Sequence, residues 1–199
     1  MLEKMKGKVL VQALVLAVWL ALIVSAYGYL VLYAATPGQK ADAPLSWPSA
    51  SRLVPGEDRP TLLVFIHPKC VCSRATLAEL SRIMTRSQGK VRAYILILLP
   101  ETMQEDWAHT DLLESARSIK GTTTMIDRNG AESNRFHCQT SGHTLVYRAD
   151  GKLTFSGGIT SSRGHEGANL GRSAVEDIIL HNNSSTASNQ VFGCPLHER

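Results

Sequence analysis

The chain has 199 residues, room for one domain plus appendages, with 44% hydrophobic residues and a formal net charge of +4. Lys4, Lys6 and Lys8 hold much of that charge, leaving residues 9–199 near +2 with no basic stripe interleaved with aromatics, which excludes a nucleic-acid partner. Four cysteines (Cys70, Cys72, Cys138, Cys194) are too few to scaffold a chain this long with disulfides. They read as a site, or as a site plus a pair.

Residues 1–8 form a short basic N-terminus. Val9–Ala35 follows without a charge, and Gln12 is its only strongly polar side chain. As a helix it would extend roughly 40 Å, enough to cross a hydrocarbon core of ~30 Å. The preceding lysines, with Tyr27, Tyr29 and Tyr33 near the far end, predict a single-pass anchor in the cytoplasmic (inner) membrane through residues 9–35. The N-terminus is then inside and the rest lies on the periplasmic, extracytoplasmic side. The rival is a signal peptide cleaved near Val24-Ser25-Ala26, although the apolar run continues well past that point. Under both readings the cysteines reach a compartment where disulfides form.

Residues 36–60, with Pro37, Pro44, Pro48, Pro55 and Pro60, predict a semi-extended linker. Trp47 lies either at the membrane interface or against the domain. Residues 61–182 carry the domain. Leu62–Ile66 is an unbroken apolar run, the pattern of a strand buried on both faces. It breaks at His67-Pro68, presents Cys70 and Cys72, and enters a helical stripe of Leu77, Leu80, Ile83 and Met84 over 74–86. Val91–Leu99 is a second interior strand, and 101–110 is loop or short helix. Asp111–Ile119 is a helix capped by Thr110, Thr122–Ile126 a short strand, and 127–130 a turn. A weak helix over 131–137 leads to Cys138. Thr144–Arg148 and Leu153–Phe155 form a hairpin around Ala149-Asp150-Gly151-Lys152. A Gly-rich loop over 157–171 precedes a last amphipathic helix, 172–181. Residues 183–199 form a polar tail bearing Cys194. This order predicts an α/β domain with a mixed sheet flanked by helices.

Over roughly residues 59–181 the pattern resembles the thioredoxin fold. Leu63-Val64-Phe65-Ile66-His67-Pro68-Lys69-Cys70 matches the strand and turn leading to that family's first active-site cysteine. Met125-Ile126-Asp127-Arg128-Asn129 resembles its far strand and turn, and His143–Gly151 aligns with the strand and hairpin that begin at a cis-proline. His-Pro-x-Cys-x-Cys-Ser-Arg and Ser-Gly-Gly-Ile-Thr also resemble a small membrane-anchored group labelled RedB. Two departures stand out. The family's second cysteine would fall at Ser73, where this chain has Cys72 instead, and His143 stands at the cis-proline position.

The residues support a thiol chemistry. Cys70 and Cys72 sit at a helix start, where unpaired amides and the macrodipole favour a thiolate, and Lys69 and Arg74 add positive charge. A thiol of pKa ~8.5 is only about 3% ionised at pH 7, and one lowered to ~7 is about half ionised. Cys70 is the expected nucleophile and Cys72 the resolving thiol. His143, placed across the groove by the resemblance, is expected either as a base for Cys70 or as a turn histidine bound to backbone. Cys138 and Cys194 are additional redox or disulfide residues: Cys138 facing the same groove, Cys194 folding back to Cys138 or staying free. Residues 161–169, with Arg163, His165 and Glu166, either rim the site or cap the last helix. The leading expectation is a membrane-anchored thiol–disulfide oxidoreductase that needs no cofactor and acts on protein thiols and disulfides outside the cytoplasm. The alternative is a Cu(I)-delivery protein, not an enzyme, with Cys70, Cys72 and His143 as ligands.

Overall fold

The computed structural model describes residues 2–39, 41–182 and 187–197. The chain divides into two units, 1–36 and 37–199. The first holds α1, Leu2–Ala35, whose Lys6–Ala35 stretch is long and apolar enough to cross a membrane, with a mean hydropathy of 2.6.

The second unit is built on β1 (Thr61–Ile66), every residue of which is buried. β1 pairs in parallel with β2 (Arg92–Leu99), and β2 in parallel with β3 (Thr122–Arg128). On its other side β1 pairs antiparallel with β4 (His143–Tyr147), which forms a hairpin with β5 (Leu153–Gly157). A two-residue strand, β6 (Ala187–Ser188), adds to β5 in parallel, giving the order β3-β2-β1-β4-β5-β6. β3 runs two residues further than its pattern suggests. Its turn is carried by Asn129 and Gly130, both left-handed at φ 57° and 60°.

Alternation along the strands divides the core into two layers. Leu62, Val64, Ile66, Ile95, Ile97 and Val146 face one layer, with the apolar stripes of α2 (Ser73–Ser87), α3 (Asp111–Ser118) and α5 (Leu170–His181). Leu63, Phe65, Leu96, Leu98, Leu145 and Tyr147 face the other, with Phe136, Cys138, Ala43, Leu53 and Leu196. Each fully buried aliphatic side chain in these layers contributes about 1.5–3 kcal/mol. α4 (Ala131–Arg135) borders the second layer. Its first amides, of Glu132 and Ser133, donate to the Asp127 carboxylate at 2.8 and 2.9 Å.

The proline-rich stretch differs from the extended spacer its composition suggests. From residue 37 onward it packs on the sheet: Ala41, Ala43 and Leu53 are buried, and the Trp47 ring lies edge-on to Phe136 and Tyr147, both at 5.2 Å. The Tyr147 hydroxyl donates to the Pro44 carbonyl at 2.8 Å. Prolines here fix bends, and the aromatic layer on the open face of the sheet supplies the apolar surface that covers them. The tail also returns to the domain, burying Val191, Phe192 and Leu196.

Candidate functional site

β1 ends at Ile66 and the chain turns through His67–Cys72 into α2, whose cap residue is Cys72. The turn is closed by backbone bonds from Cys70 to the His67 carbonyl (3.0 Å) and from Ser73 to the Cys70 carbonyl (2.9 Å). It is held from outside as well. Thr110, the cap of α3, donates its hydroxyl to the Pro68 carbonyl at 3.0 Å, and the His67 amide donates to the Ser141 hydroxyl at 2.8 Å. The Lys69 ammonium lies 4.8 Å from the centre of the Trp107 ring, and the His67 ring meets the same indole edge-on. Cys70 is thereby fixed in the turn two residues before the cap of α2, fully buried, while its neighbour Val71 stands exposed.

The sulfur of Cys70 collects hydrogen bonds. The backbone amide of Cys194 donates to it at 3.3 Å, the thiol of Cys194 and the hydroxyl of Ser73 also bond to it, and the Cys72 amide adds another. These donors outweigh the cost of burial and lower the Cys70 thiol from its usual range to about 4, so it is a thiolate at neutral pH. The same bond raises Cys194, which retains its proton, with burial and the Cys70 charge adding to the effect. Cys72 is raised by burial and by the Cys70 charge, and it too bonds to the Cys70 sulfur. All four cysteines are free thiols.

Ser141 is the residue beneath this cluster. Its hydroxyl bonds that of Ser73 at 2.7 Å and its amide donates to the Cys194 carbonyl at 2.8 Å. From the long loop between β5 and α5, Arg163 donates to the Gly193 carbonyl at 2.7 Å and hydrogen-bonds Cys72. The loop is anchored by Glu79, a buried carboxylate on α2 that accepts from Arg172, from Arg82 and from the Gly167 amide. Glu166 pairs with Arg82 at 3.0 Å. Of the three polar residues expected at the rim, Arg163 reaches the thiols, Glu166 is engaged in anchoring the loop to α2, and the His165 amide donates within the loop to the Ser162 carbonyl at 3.3 Å. Beside Cys194 opens a cleft of about 810 Å³, lined by His67, Gln139, Thr140, Arg163, Gly193 and His197 among others.

Two expected members are elsewhere. His143 pairs with Phe65 on β4, on the sheet face of Leu145 and Tyr147, opposite the layer that holds α2. Its Nε2 bonds the Ser156 hydroxyl at 2.9 Å, its Nδ1 is buried with no hydrogen-bond partner among the described residues, and burial lowers the ring's pKa to about 4. It lines a separate cavity of about 600 Å³ with Ala41, Leu153 and Val191. The ring thus lies on the sheet face opposite α2 and bonds Ser156, away from the place across the groove where it was expected as a base for Cys70. Cys138 is fully buried in the aromatic layer, its thiol donating to the Phe136 carbonyl at 3.6 Å, and burial pushes it well above the usual thiol range. Cys194 has its bonds with Cys70, not with Cys138. Among the described residues no group of three or more His, Cys, Asp or Glu side chains could hold a metal ion, so the Cys70/Cys72/His143 ligand set is not assembled.

No protein-family model and no curated protein matches the chain. Solved structures do match. A hypothetical protein from Sinorhizobium meliloti 1021 aligns at 13% identity and TM-score 0.60 over 79% of this chain and 97% of its own. An uncharacterized conserved protein from Geobacillus kaustophilus aligns at 14% and 0.60, over 83% and 93%. A secreted disulfide oxidoreductase of Mycobacterium tuberculosis aligns at 17% and 0.45, over 63% and 83%. Parallel β1 and β2, an antiparallel β4–β5 hairpin on the other side of β1, and cysteines at the β1–α2 turn settle the architecture. The fold is thioredoxin-like. At the place of that fold's cis-proline the chain has no cis peptide among the described residues. Instead Ser141 and Gly142 approach the turn: the Gly142 amide donates to the Phe65 carbonyl at 2.7 Å, and φ is +88°. A Cβ there would lie 2.9 Å from the Thr76 hydroxyl. Ser141 carries no local pattern and was not expected at the site; Cys194 was expected as an additional redox or disulfide residue, but its place beside Cys70 was not, the sole signal for its docking being the polar-apolar shift at Val191–Leu196.

Proposed function

We propose that the protein is a thiol–disulfide oxidoreductase with Cys70 as nucleophile, tethered through residues 9–35 to the cytoplasmic membrane and acting on the extracytoplasmic side. The observation that carries this reading is the buried Cys70 sulfur in the turn that leads into α2, which the Cys194 amide meets at 3.3 Å and whose surrounding donors favour the thiolate. A thiolate at this place attacks a partner's disulfide, forming a mixed disulfide with Cys70 and releasing one partner thiolate. A neighbouring thiol then attacks the Cys70 sulfur, releasing the second. Cys72 and Cys194 both lie within hydrogen-bond reach of that sulfur. The N-terminal apolar helix supports the tether, and placing the thiols outside the cytoplasm supplies disulfides to exchange. The copper-delivery alternative is the weaker reading, since His143 does not join the two cysteines.

The test is steady-state reduction of insulin disulfides by the full chain in detergent micelles with a dithiol reductant. Wild type is expected to turn over, and Cys70→Ser to fall to the rate of the reductant alone. Equal turnover by wild type and Cys70→Ser would overturn the reading.

A further inference from the structure

Cys70 is covered by the chain segment 191–197, which crosses the site as a strap. The strap is fastened by hydrogen bonds and by buried side chains. The Val191 carbonyl accepts from the Gly38 amide, and the Gly193 carbonyl from Arg163. The Cys194 carbonyl accepts from the Ser141 amide, the Leu196 amide donates to the Gln139 carbonyl at 2.8 Å, and Phe192 and Leu196 are buried. Gly193 lies so close to Ser141 that an added Cβ would come within 1.9 Å of its carbonyl oxygen. This docking delivers the backbone and thiol of Cys194 to Cys70.

Cys72 is the worse partner for a disulfide. Its backbone is already helical, at φ −65° and ψ −25°, and side chains two apart in such a turn leave in different directions. A Cys70–Cys72 bridge would have to undo the turn that the Ser73 and Arg74 amides close. Cys194 comes from a separate segment and approaches the sulfur without that constraint.

Resting on the thiol–disulfide reading above, we propose that Cys194 on the C-terminal strap is the resolving thiol, and that the oxidised protein carries a Cys70–Cys194 disulfide which staples the strap across the site. The Cys70 thiolate breaks the partner's S–S bond and forms a mixed disulfide, and the departing partner thiolate takes up a proton. Cys194 gives its proton to solvent and attacks the Cys70 sulfur, so the Cys70–Cys194 bond forms as the mixed bond breaks and the second partner thiolate leaves. The partner disulfide gains two electrons and the Cys70/Cys194 pair loses two. A dithiol of a second protein returns the pair to its starting state by the reverse exchange. Because Cys70 is fully covered, the partner must displace the strap to reach it, and the open cleft beside Cys194 gives the displaced segment room.

The experiment uses the reduced full chain in detergent micelles, treated with oxidised glutathione, quenched with acid and mapped by peptide mass spectrometry. Wild type is expected to show the Cys70–Cys194 bridge. Cys194→Ser is expected to accumulate glutathione on Cys70 at least tenfold over wild type, and Cys72→Ser to form the bridge as wild type does. A Cys70–Cys72 bridge in wild type, with glutathione trapped on Cys70 in Cys72→Ser and not in Cys194→Ser, overturns the assignment of Cys194 and leaves the oxidoreductase reading standing. Cys70 untouched in all three proteins overturns both.

Discussion

The Cys194 amide donates to the Cys70 sulfur at 3.3 Å although 124 positions of sequence separate them. That contact joins the two ends of the domain: the turn after its first strand and the segment that closes the chain. It places an amide, a thiol and a hydroxyl around one sulfur, and the thiolate follows from those donors.

The pH dependence of stability follows from the same pair. In the unfolded chain both thiols titrate near 9, whereas the folded pair releases the Cys70 proton near 4 and holds the Cys194 proton above 9. Between about pH 4 and 9 the unfolded state therefore binds one proton more, and stability rises with pH; above 9 it binds one fewer, and stability falls. Urea unfolding of wild type against Cys70→Ser is expected to show this rise in wild type and a flatter profile in the variant. Ser73→Ala removes one donor to the sulfur and is expected to raise the Cys70 pKa, read by thiolate ultraviolet absorbance during acid titration.

Glu79 tests the link between α2 and the strap. Glu79→Gln removes the nearer of the two carboxylates on the well-buried Arg172, leaving only Glu176 at 3.5 Å, and weakens the anchor of the loop that carries Arg163. Removing one member of a buried ion pair costs about 3–5 kcal/mol. The expectation is a lower urea midpoint together with faster alkylation of Cys70, because the strap loses its Arg163 fastening.

Gly193→Ala isolates the strap itself. The added methyl collides with the Ser141 carbonyl, a backbone atom that cannot swing aside. The strap is expected to lift, with Cys70 alkylated several-fold faster by iodoacetamide and the Cys70 pKa raised by loss of the Cys194 donors. The sheet core is expected to remain, as circular dichroism would show.

Trp47→Ala addresses the stretch before β1. Loss of the half-buried indole, which lies edge-on to Phe136 and Tyr147, is expected to cost about 2–3 kcal/mol, less than the ~3–5 of a fully buried aromatic. A denaturant midpoint unchanged by this substitution would mean that residues 37–60 are not part of the folded unit.

The oxidised state gives a further expectation. Closing a loop of more than 100 residues by a disulfide contributes about 4–5 kcal/mol in the chain-entropy treatment, and each kcal/mol raises Tm by about 2–4 °C in a domain of this size. Oxidised wild type is expected to melt about 10 °C or more above the reduced form, and Cys194→Ser to lose that difference.

Much of the fold was legible because its signals are local. The unbroken apolar run of β1, the stripe of α2, the Thr110 cap and the hairpin turn each lie within a few residues, and each forms where the pattern places it. Cys70 and Cys72 were found for the same reason. What was not legible depends on side-chain direction and on contacts across the sheet. His143 lies on the expected strand, but a period of two turns it to the face of Leu145 and Tyr147. Cys138 faces that layer as well. Cys194 reaches Cys70, and Ser141 reaches Ser73, only through tertiary packing, and the return to apolar residues at Val191–Leu196 is the one hint that this segment docks.

The measurement that tests the central claim most directly is a single-turnover reaction of reduced full-length protein with a peptide disulfide, counting the peptide thiols released per chain. Wild type is expected to release two, one on attack by Cys70 and one on resolution, and Cys70→Ser none. Release of two thiols by Cys70→Ser would contradict the account.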